Sequence, residues 1–302
     1  MGLDFHPVGL GDAATMRRLF EEDPPEISDF AFGYEFAYSR SANLKGVFAT
    51  VAGCGIFGWN ENNSPSFSAP FGGGDKRAAV EALEMHCREN ARPLVMTDVP
   101  AAAAKEIPQF LSRPCTVEPD RDEFDYLYRR DELVALKGGI HVNHRRLIHR
   151  FEKGGEWSYE PVSAANLDEC REVLAAWRRE KVVLPEQNFR ILDDSTAVEA
   201  VLSGYFDLGL VGGVLRQRGR AVGFAIGERL NATTMVQSFE RELRSVPGAG
   251  AMLGREFVRV DCAGYEFVNR TCDVGDPGLR RVKTGYGPCR MVEKFTITAE
   301  AE

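Results

Sequence analysis

A chain of 302 residues, 44% hydrophobic and 27% charged, has the length for about two domains and the composition of a soluble globular protein. A net charge of −8 excludes a general nucleic-acid coat, although it leaves room for a local basic groove. Seven scattered cysteines with no C-x-x-C spacing predict reduced thiols, no disulfide and no metal site. The start, MGLDFHPVGLGD, has neither a basic n-region nor an apolar h-region, and the longest weakly polar run, 46–59, is too short for a transmembrane segment and is broken by Gly53-Cys54-Gly55. A soluble, cytoplasmic chain is expected.

In chain order, GDAATMRRLFEED is an amphipathic helix capped by Asp12. Residues 46–52 and 56–59 make a hairpin around the glycines, SFSAPF alternates, and GGGD breaks the chain before the helix KRAAVEALEMHCREN. LVMTDVP is a strand, AAAAKEIPQFL a helix and DEFDYLY a strand. The second half runs in the same order: strand SYEPVS, helix NLDECREVLAAWRREK, a hairpin across Arg216–Arg220, strand MVQSFE, helix AGAMLGREFVRVDCA, strand YEFVNRTCDVG, short helix GLRRVK and a final strand RMVEKFTIT. The fold class expected is α+β, with two tandem repeats whose sheets are mixed and centrally antiparallel, divided as 1–136 and 137–302, with a helix at 140–152 bridging them.

Three stretches carry candidate chemistry. The first, LKGGIHVNHRRLIHRFEKG, places His144, Leu147, Ile148 and Phe151 on one side of a helix and Arg146, His149 and Arg150 on the other. His141 and His149 stand eight apart, beyond the i,i+4 spacing that shares a metal ion, so a packed face and a basic face, able to receive phosphate, are expected. The second is FERELRSVPGAGAMLGREF, where a strand, a loop bearing Gly248 and Gly250, and a helix follow one another. Free amides at a helix start form an anion site. The third is NRTCDVGDPGLRRVKTGYGP, in which Asn269, Arg270, Asp273, Lys283 and Tyr286 gather at the ends of a strand and a short helix.

Strand, glycine loop and helix after an antiparallel meander resemble the GCN5-related N-acetyltransferase (GNAT) fold, where such a loop holds the pyrophosphate of coenzyme A. The usual Gln/Arg-x-x-Gly-x-Gly/Ala is here Ser245-Val-Pro-Gly248-Ala-Gly250, without the basic start and with Pro247, which has no N–H to donate. Across nearly the whole chain, DYLYRRDELVALKGG…RRLIHRF, FERE, NRTCDVGDPGLRRVKTGYGP, EKFTI and the weaker SDFAF at 28–32 resemble the DUF2156 family, the C-terminal domain of phosphatidylglycerol lysyltransferases. Arg146 stands where that family has Asn, and Glu-Arg-Glu where it has Glu-Lys-Ala. The resemblance implies an acyl- or aminoacyltransferase with coenzyme A thioester or aminoacyl-tRNA as donor, and an anionic lipid or a small amine as acceptor; the alternatives are an acetyl-coenzyme A-dependent N-acetyltransferase and a catalytically silent fold kept for binding, which the altered loop would mark. It implies Glu240 as general base, Tyr286 as general acid, and Arg270 or Lys283 at the developing oxyanion or a phosphate. Arg145, Asn269, Gly248 and Gly250 are the further binding positions expected.

Overall fold

The computed structural model describes residues 3–40, 44–61, 64–181 and 188–301. In chain order these form β1 (His6–Pro7), α1 (Ala13–Glu22), α2 (Phe32–Tyr38), β2 (Leu44–Val51), β3 (Cys54–Glu61), β4 (Ser64–Phe67), α3 (Lys76–Glu89), β5 (Leu94–Pro100), α4 (Ala101–Glu106), β6 (Thr116–Pro119), β7 (Asp125–Arg129), α5 (Arg130–Ala135) and α6 (Val142–Glu152). There follow β8 (Trp157–Pro161), α7 (Leu167–Lys181), α8 (Asn188–Ser203), β9 (Val211–Gln217), β10 (Arg220–Arg229), β11 (Thr234–Glu242), α9 (Ala249–Val260), β12 (Phe267–Asn269), α10 (Pro277–Gly285), β13 (Arg290–Val292) and β14 (Lys294–Ala299).

Two seven-stranded sheets result, ordered β1-β2-β3-β4-β5-β14-β6 and β13-β7-β12-β11-β10-β9-β8. In each, an antiparallel meander ends in one parallel pair, β4 with β5 or β11 with β12, whose crossover is a helix, α3 or α9. These are two tandem GNAT-like repeats. Sheets covered on both faces need apolar residues at successive positions. In β10, Phe224 and Ile226 join the core shared by the two repeats, while Ala225 between them joins the core under α6 and α9. The shared core takes side chains from both repeats, among them Phe57, Phe71, Trp177, Val201 and Phe239, and a third core lies under α3.

The repeats exchange strands. β7 leaves the first part of the chain and pairs between β12 and β13 in the second sheet, and β14 returns to pair between β5 and β6 in the first. RMVEKFTIT, expected as one strand, is therefore two, β13 and β14, in different sheets with Glu293 between them. Local alternation reports that a segment is extended; it carries no record of its distant partner. YEFVNRTCDVG is likewise a strand only over Phe267–Asn269. Beyond it Thr271, Val274 and Gly275 all take positive φ, which ends the ladder. The bridging helix begins at Val142 and buries Ile148 and Phe151, half-buries His144 and Leu147, and exposes Arg146, His149 and Arg150.

One further inter-repeat contact has a pH signature. The Glu228 carboxylate on β10 accepts the N–H groups of Gly33 and Tyr34 on α2, both at 3.0 Å. Burial, opposed by those two hydrogen bonds, pushes its carboxyl up to about 7. A raised carboxyl pKa in the folded state means stability present below the unfolded value and lost as pH climbs through the folded one. Stability is therefore expected to fall between pH ~4.5 and ~7, by about 3 kcal/mol at most from this group. Glu228→Gln cannot ionise but has one acceptor oxygen where the carboxylate offers two, so it loses one of the two N–H bonds at every pH, and its stability relative to wild type should rise from pH 4.5 to pH 8. Urea midpoints across that range check this; a difference that does not rise with pH would contradict it.

Candidate active site

The parallel pairing of β11 with β12 lasts only from Thr234 to Val236, and beyond it the two strands part. On its other side β11 stays paired to β10, with Phe239 opposite Ile226 and Gln237 opposite Gly227, so Ser238 is the extra residue of a bulge. A bulge shifts the two-residue alternation by one position and re-aims the side chains after it. Gln237 and Glu240, three apart, consequently share a face, and the Gln237 amide donates to Glu240 Oε2 at 2.6 Å. Phe239 turns to the opposite side, into the shared core.

Arg270 enters this opening from the end of β12. Its Nη2 donates to Glu240 Oε2 at 2.7 Å, and its guanidinium lies 4.8 Å over the ring of Tyr286, the residue closing α10. The tyrosine also packs against the core under α6 and α9 and on the His144 ring of α6, with centroids 3.9 Å apart, and His141 follows His144 at 5.5 Å. Gly254 of α9 lies beside the ion pair: a methyl there would rest in ordinary van der Waals contact with the Glu240 carboxylate and the Arg270 guanidinium, at 3.6–3.7 Å.

Burial works against the Arg270 charge, but Glu240, Tyr286 and Tyr128 outweigh it and hold the guanidinium protonated. Burial raises the Tyr286 phenol, with Arg270 opposing, so it stays a proton donor at neutral pH. His144 and His141 are lowered, chiefly by burial, and are neutral at pH 7; their Nδ1 atoms have no partner among the described residues.

The remaining C-terminal motif residues build the platform. Lys283, one turn before Tyr286, donates its ammonium to the Arg270 carbonyl at 2.5 Å, to Thr271 Oγ1 at 3.2 Å and to the Cys272 carbonyl. Asn269 donates to Asp125 at 2.8 Å and accepts from the Thr271 N–H at 2.8 Å. Asp273 receives Arg280, Arg121, Tyr126 and the Gly275 N–H. Although burial opposes it, these partners hold its carboxyl well below the usual carboxylate range. Asp276 caps α10 by accepting from the Leu279 N–H at 2.7 Å. A loop with three left-handed residues is thus pinned from every side, and its outward products are Arg270 and Tyr286.

The loop before α9 is built differently from an anion cradle. A methyl at Gly248, φ +87°, would sit 2.1 Å from the Leu147 carbonyl oxygen of α6, so this glycine permits helix packing. One at Gly250 would lie 3.3 Å from the Glu242 carboxylate. The Glu180 carboxylate already accepts the Arg244 N–H at 2.6 Å and the Ser245 hydroxyl at 2.5 Å. Burial raises the Glu242 carboxyl to about 7, so Glu180 is the ionised carboxylate at the loop, and together with Pro247, which has no N–H, it makes the loop a poorer pyrophosphate cradle than the usual one. Arg145 is also engaged, donating to the carbonyls of Leu136 and of Gly138, the latter at 3.0 Å.

A second cluster was missed in the sequence. Lys294, wholly buried, contacts Asp29, Asp125 at 3.0 Å and Asp98 at 4.0 Å. Asp125 also accepts the Ser28 N–H at 2.6 Å and hydroxyl at 2.8 Å. Burial raises Asp98 and Asp29, while the three carboxylates outweigh burial to keep Lys294 charged. Asp125 opens β7 and Lys294 opens β14, so the pair clasps the two exchanged strands where they cross. The signal was present in the motifs: SDFAF supplies Ser28 and Asp29, DYLY Asp125, NR Asn269 and EKFTI Lys294.

The family model described as "Phosphatidylglycerol lysyltransferase, C-terminal" matches residues 34–298. The chain is similar, at 25% identity and a TM-score of 0.90, to a crystallised conserved protein of unknown function from Bacteroides thetaiotaomicron, over 99% of this chain and 100% of that one. It is also similar in fold to the C-terminal DUF2156 domain of a putative lysylphosphatidylglycerol synthetase from Agrobacterium fabrum, with TM-score 0.64, 14% identity and coverage of 96% and 92%. The L-PGS of Bacillus licheniformis is similar to a like degree, with TM-score 0.63, 12% identity and coverage of 94% and 90%. No curated protein matches. Among the described residues no helix is long and apolar enough to cross a membrane.

Proposed function

The chain belongs to the family of phosphatidylglycerol lysyltransferase C-terminal domains, and on that premise we propose that it moves an aminoacyl group from aminoacyl-tRNA to the hydroxyl or amine of an acceptor at the Glu240–Arg270–Tyr286 opening. The observation that carries this is the single ion pair set where β11 and β12 part, with Tyr286 stacked on the cation. Glu240 takes the acceptor proton as its oxygen or nitrogen forms the new bond to the ester carbonyl. Arg270 and the Tyr286 phenol donate to the developing oxyanion. The bond to the ribose oxygen then breaks, and the proton held by Glu240 passes to that leaving oxygen. Lys283 serves as a positioning residue: its ammonium is committed to the 270–272 backbone and fixes Arg270. The Glu180 carboxylate and the missing N–H of Pro247 at the α9 loop support an aminoacyl-tRNA donor over acyl-coenzyme A, and the exposed Arg146 and Arg150 of α6 offer contacts for RNA phosphate. An anionic lipid such as phosphatidylglycerol is the acceptor that the family name suggests.

The test supplies radiolabelled aminoacyl-tRNA or acetyl-coenzyme A to the protein with phosphatidylglycerol vesicles or a small amine. Label from aminoacyl-tRNA in lipid or amine is the expected result. Transfer from acetyl-coenzyme A alone would overturn the donor assignment.

A further inference from the structure

The first repeat has the same strand divergence and fills it differently. β4 and β5 pair through one position, Phe67 with Met96, and then part. Among the described residues no ion pair joins β4 to β5 there. Instead a cleft of about 580 Å³ opens, walled by Ile27, Phe30, Phe71, Ile107, Phe110 and Met291. That volume is in the range of small-molecule sites. Four prolines, Pro24, Pro25, Pro70 and Pro100, line it as well. Their fixed φ and missing N–H make a wall that is rigid and has fewer donors, so an apolar guest pays little for ordering it. Ala101 and Ala103, at the start of α4, leave space where larger side chains would fill it.

The mouth is charged and unbalanced. Lys76 is paired with Asp23 at 2.8 Å, and Arg290 lies 3.6 Å from Glu26. Glu106 and Glu293, both exposed, have no ion-pair partner among the described residues, so the rim carries two uncompensated carboxylates.

We propose that this cleft is a second binding site, for an amphiphile with an aliphatic or aryl body and an ammonium end. The body occupies the apolar walls, and the cation meets Glu106 and Glu293. A guest with an anionic end would face those carboxylates with both lining cations already paired and the next cation, Arg77, held over the Phe110 ring at 4.6 Å and donating to the Gln109 carbonyl. The site stands apart from the transfer reaction proposed above and is tested without it.

Isothermal titration calorimetry of the whole protein with n-octylamine, 1-octanol and octanoate reads body and charge separately. Octylamine should bind about tenfold more tightly than octanoate, with octanol between, as two solvent-screened carboxylates allow. Ala103→Phe should weaken all three about tenfold or more, and Ala101→Leu provides the same test if that variant does not fold. Glu106→Gln with Glu293→Gln should bring octylamine to the level of octanol and leave octanol unchanged. Octanoate binding as tightly as octylamine, equal binding by a folded cavity-filled variant, or no binding by any of the three would each overturn the proposal.

Discussion

Lys294→Met should cost about 3–5 kcal/mol of unfolding free energy, the loss expected when one partner of a buried ion pair is removed. The ammonium is wholly buried among Asp29, Asp98 and Asp125, and its removal leaves carboxylates that can lower their energy only by taking up protons. The carboxyls of Asp29 and Asp98, already raised by burial, then rise further, so the penalty is present at high pH and shrinks as acid supplies protons. The variant should come closer to wild type at pH 5 than at pH 8 in denaturant melts. Lys294→Met combined with Asp125→Asn should cost less than the sum of the single changes, because the two share one interaction. A penalty independent of pH would mean that the cluster is held by packing alone.

Glu240→Gln should lower the rate of aminoacyl transfer by about 10²–10³-fold with little change in KM for the donor. The amide keeps the shape and can still accept from Arg270, but it takes no proton from the acceptor. Arg270→Met should lower the rate by a similar factor and also loosen Tyr286, which it holds by its cationic face. Single-turnover transfer with labelled aminoacyl-tRNA measures both, with circular dichroism and melting temperature as controls on folding. A folded Glu240→Gln protein that transfers at the wild-type rate would remove the base assignment. If Lys283→Met changed the dependence of rate on acceptor pH while Arg270 stayed in place, its proposed role would shift from positioning to proton transfer.

The order of the predicted strands and helices was legible because each of those segments carries its own period, such as the two of LVMTDVP and the helical spacing of Leu167, Val173, Leu174 and Trp177, whereas α2, β6, α5 and α8 were not predicted. Glu240, Arg270 and Tyr286 were legible as candidates from the spacing of the motifs, and the structure links them through Arg270. The exchange of β7 and β14 was not, since DYLYR and KFTIT are good strands whichever sheet receives them. The bulge at Ser238 was also hidden, because nothing in MVQSFE marks where the ladder slips. Nothing in the sequence marked Asp29, Asp98 and Lys294 as a cluster: a charged side chain is almost always exposed unless paired, and the partners here lie up to hundreds of positions apart. Asn269 and Lys283 were singled out for chemistry because they are polar residues beside a loop. Both are spent on backbone and carboxylate partners instead.

The exchanged strands also set a timetable for synthesis. When β6 emerges from the ribosome its neighbour β14 is still 175 residues short of being made, the interval from Pro119 to Lys294. At ~5–20 residues per second the nascent chain spends on the order of ten seconds or more with β5 and β6 facing an empty lane. Each then presents unpaired amides and carbonyls, the kind of edge that captures strands from other chains. Completion of the first sheet is thus tied to a segment translated 175 residues after β6, and crowded polysomes or a stall before Lys294 would raise the demand for chaperones on this chain.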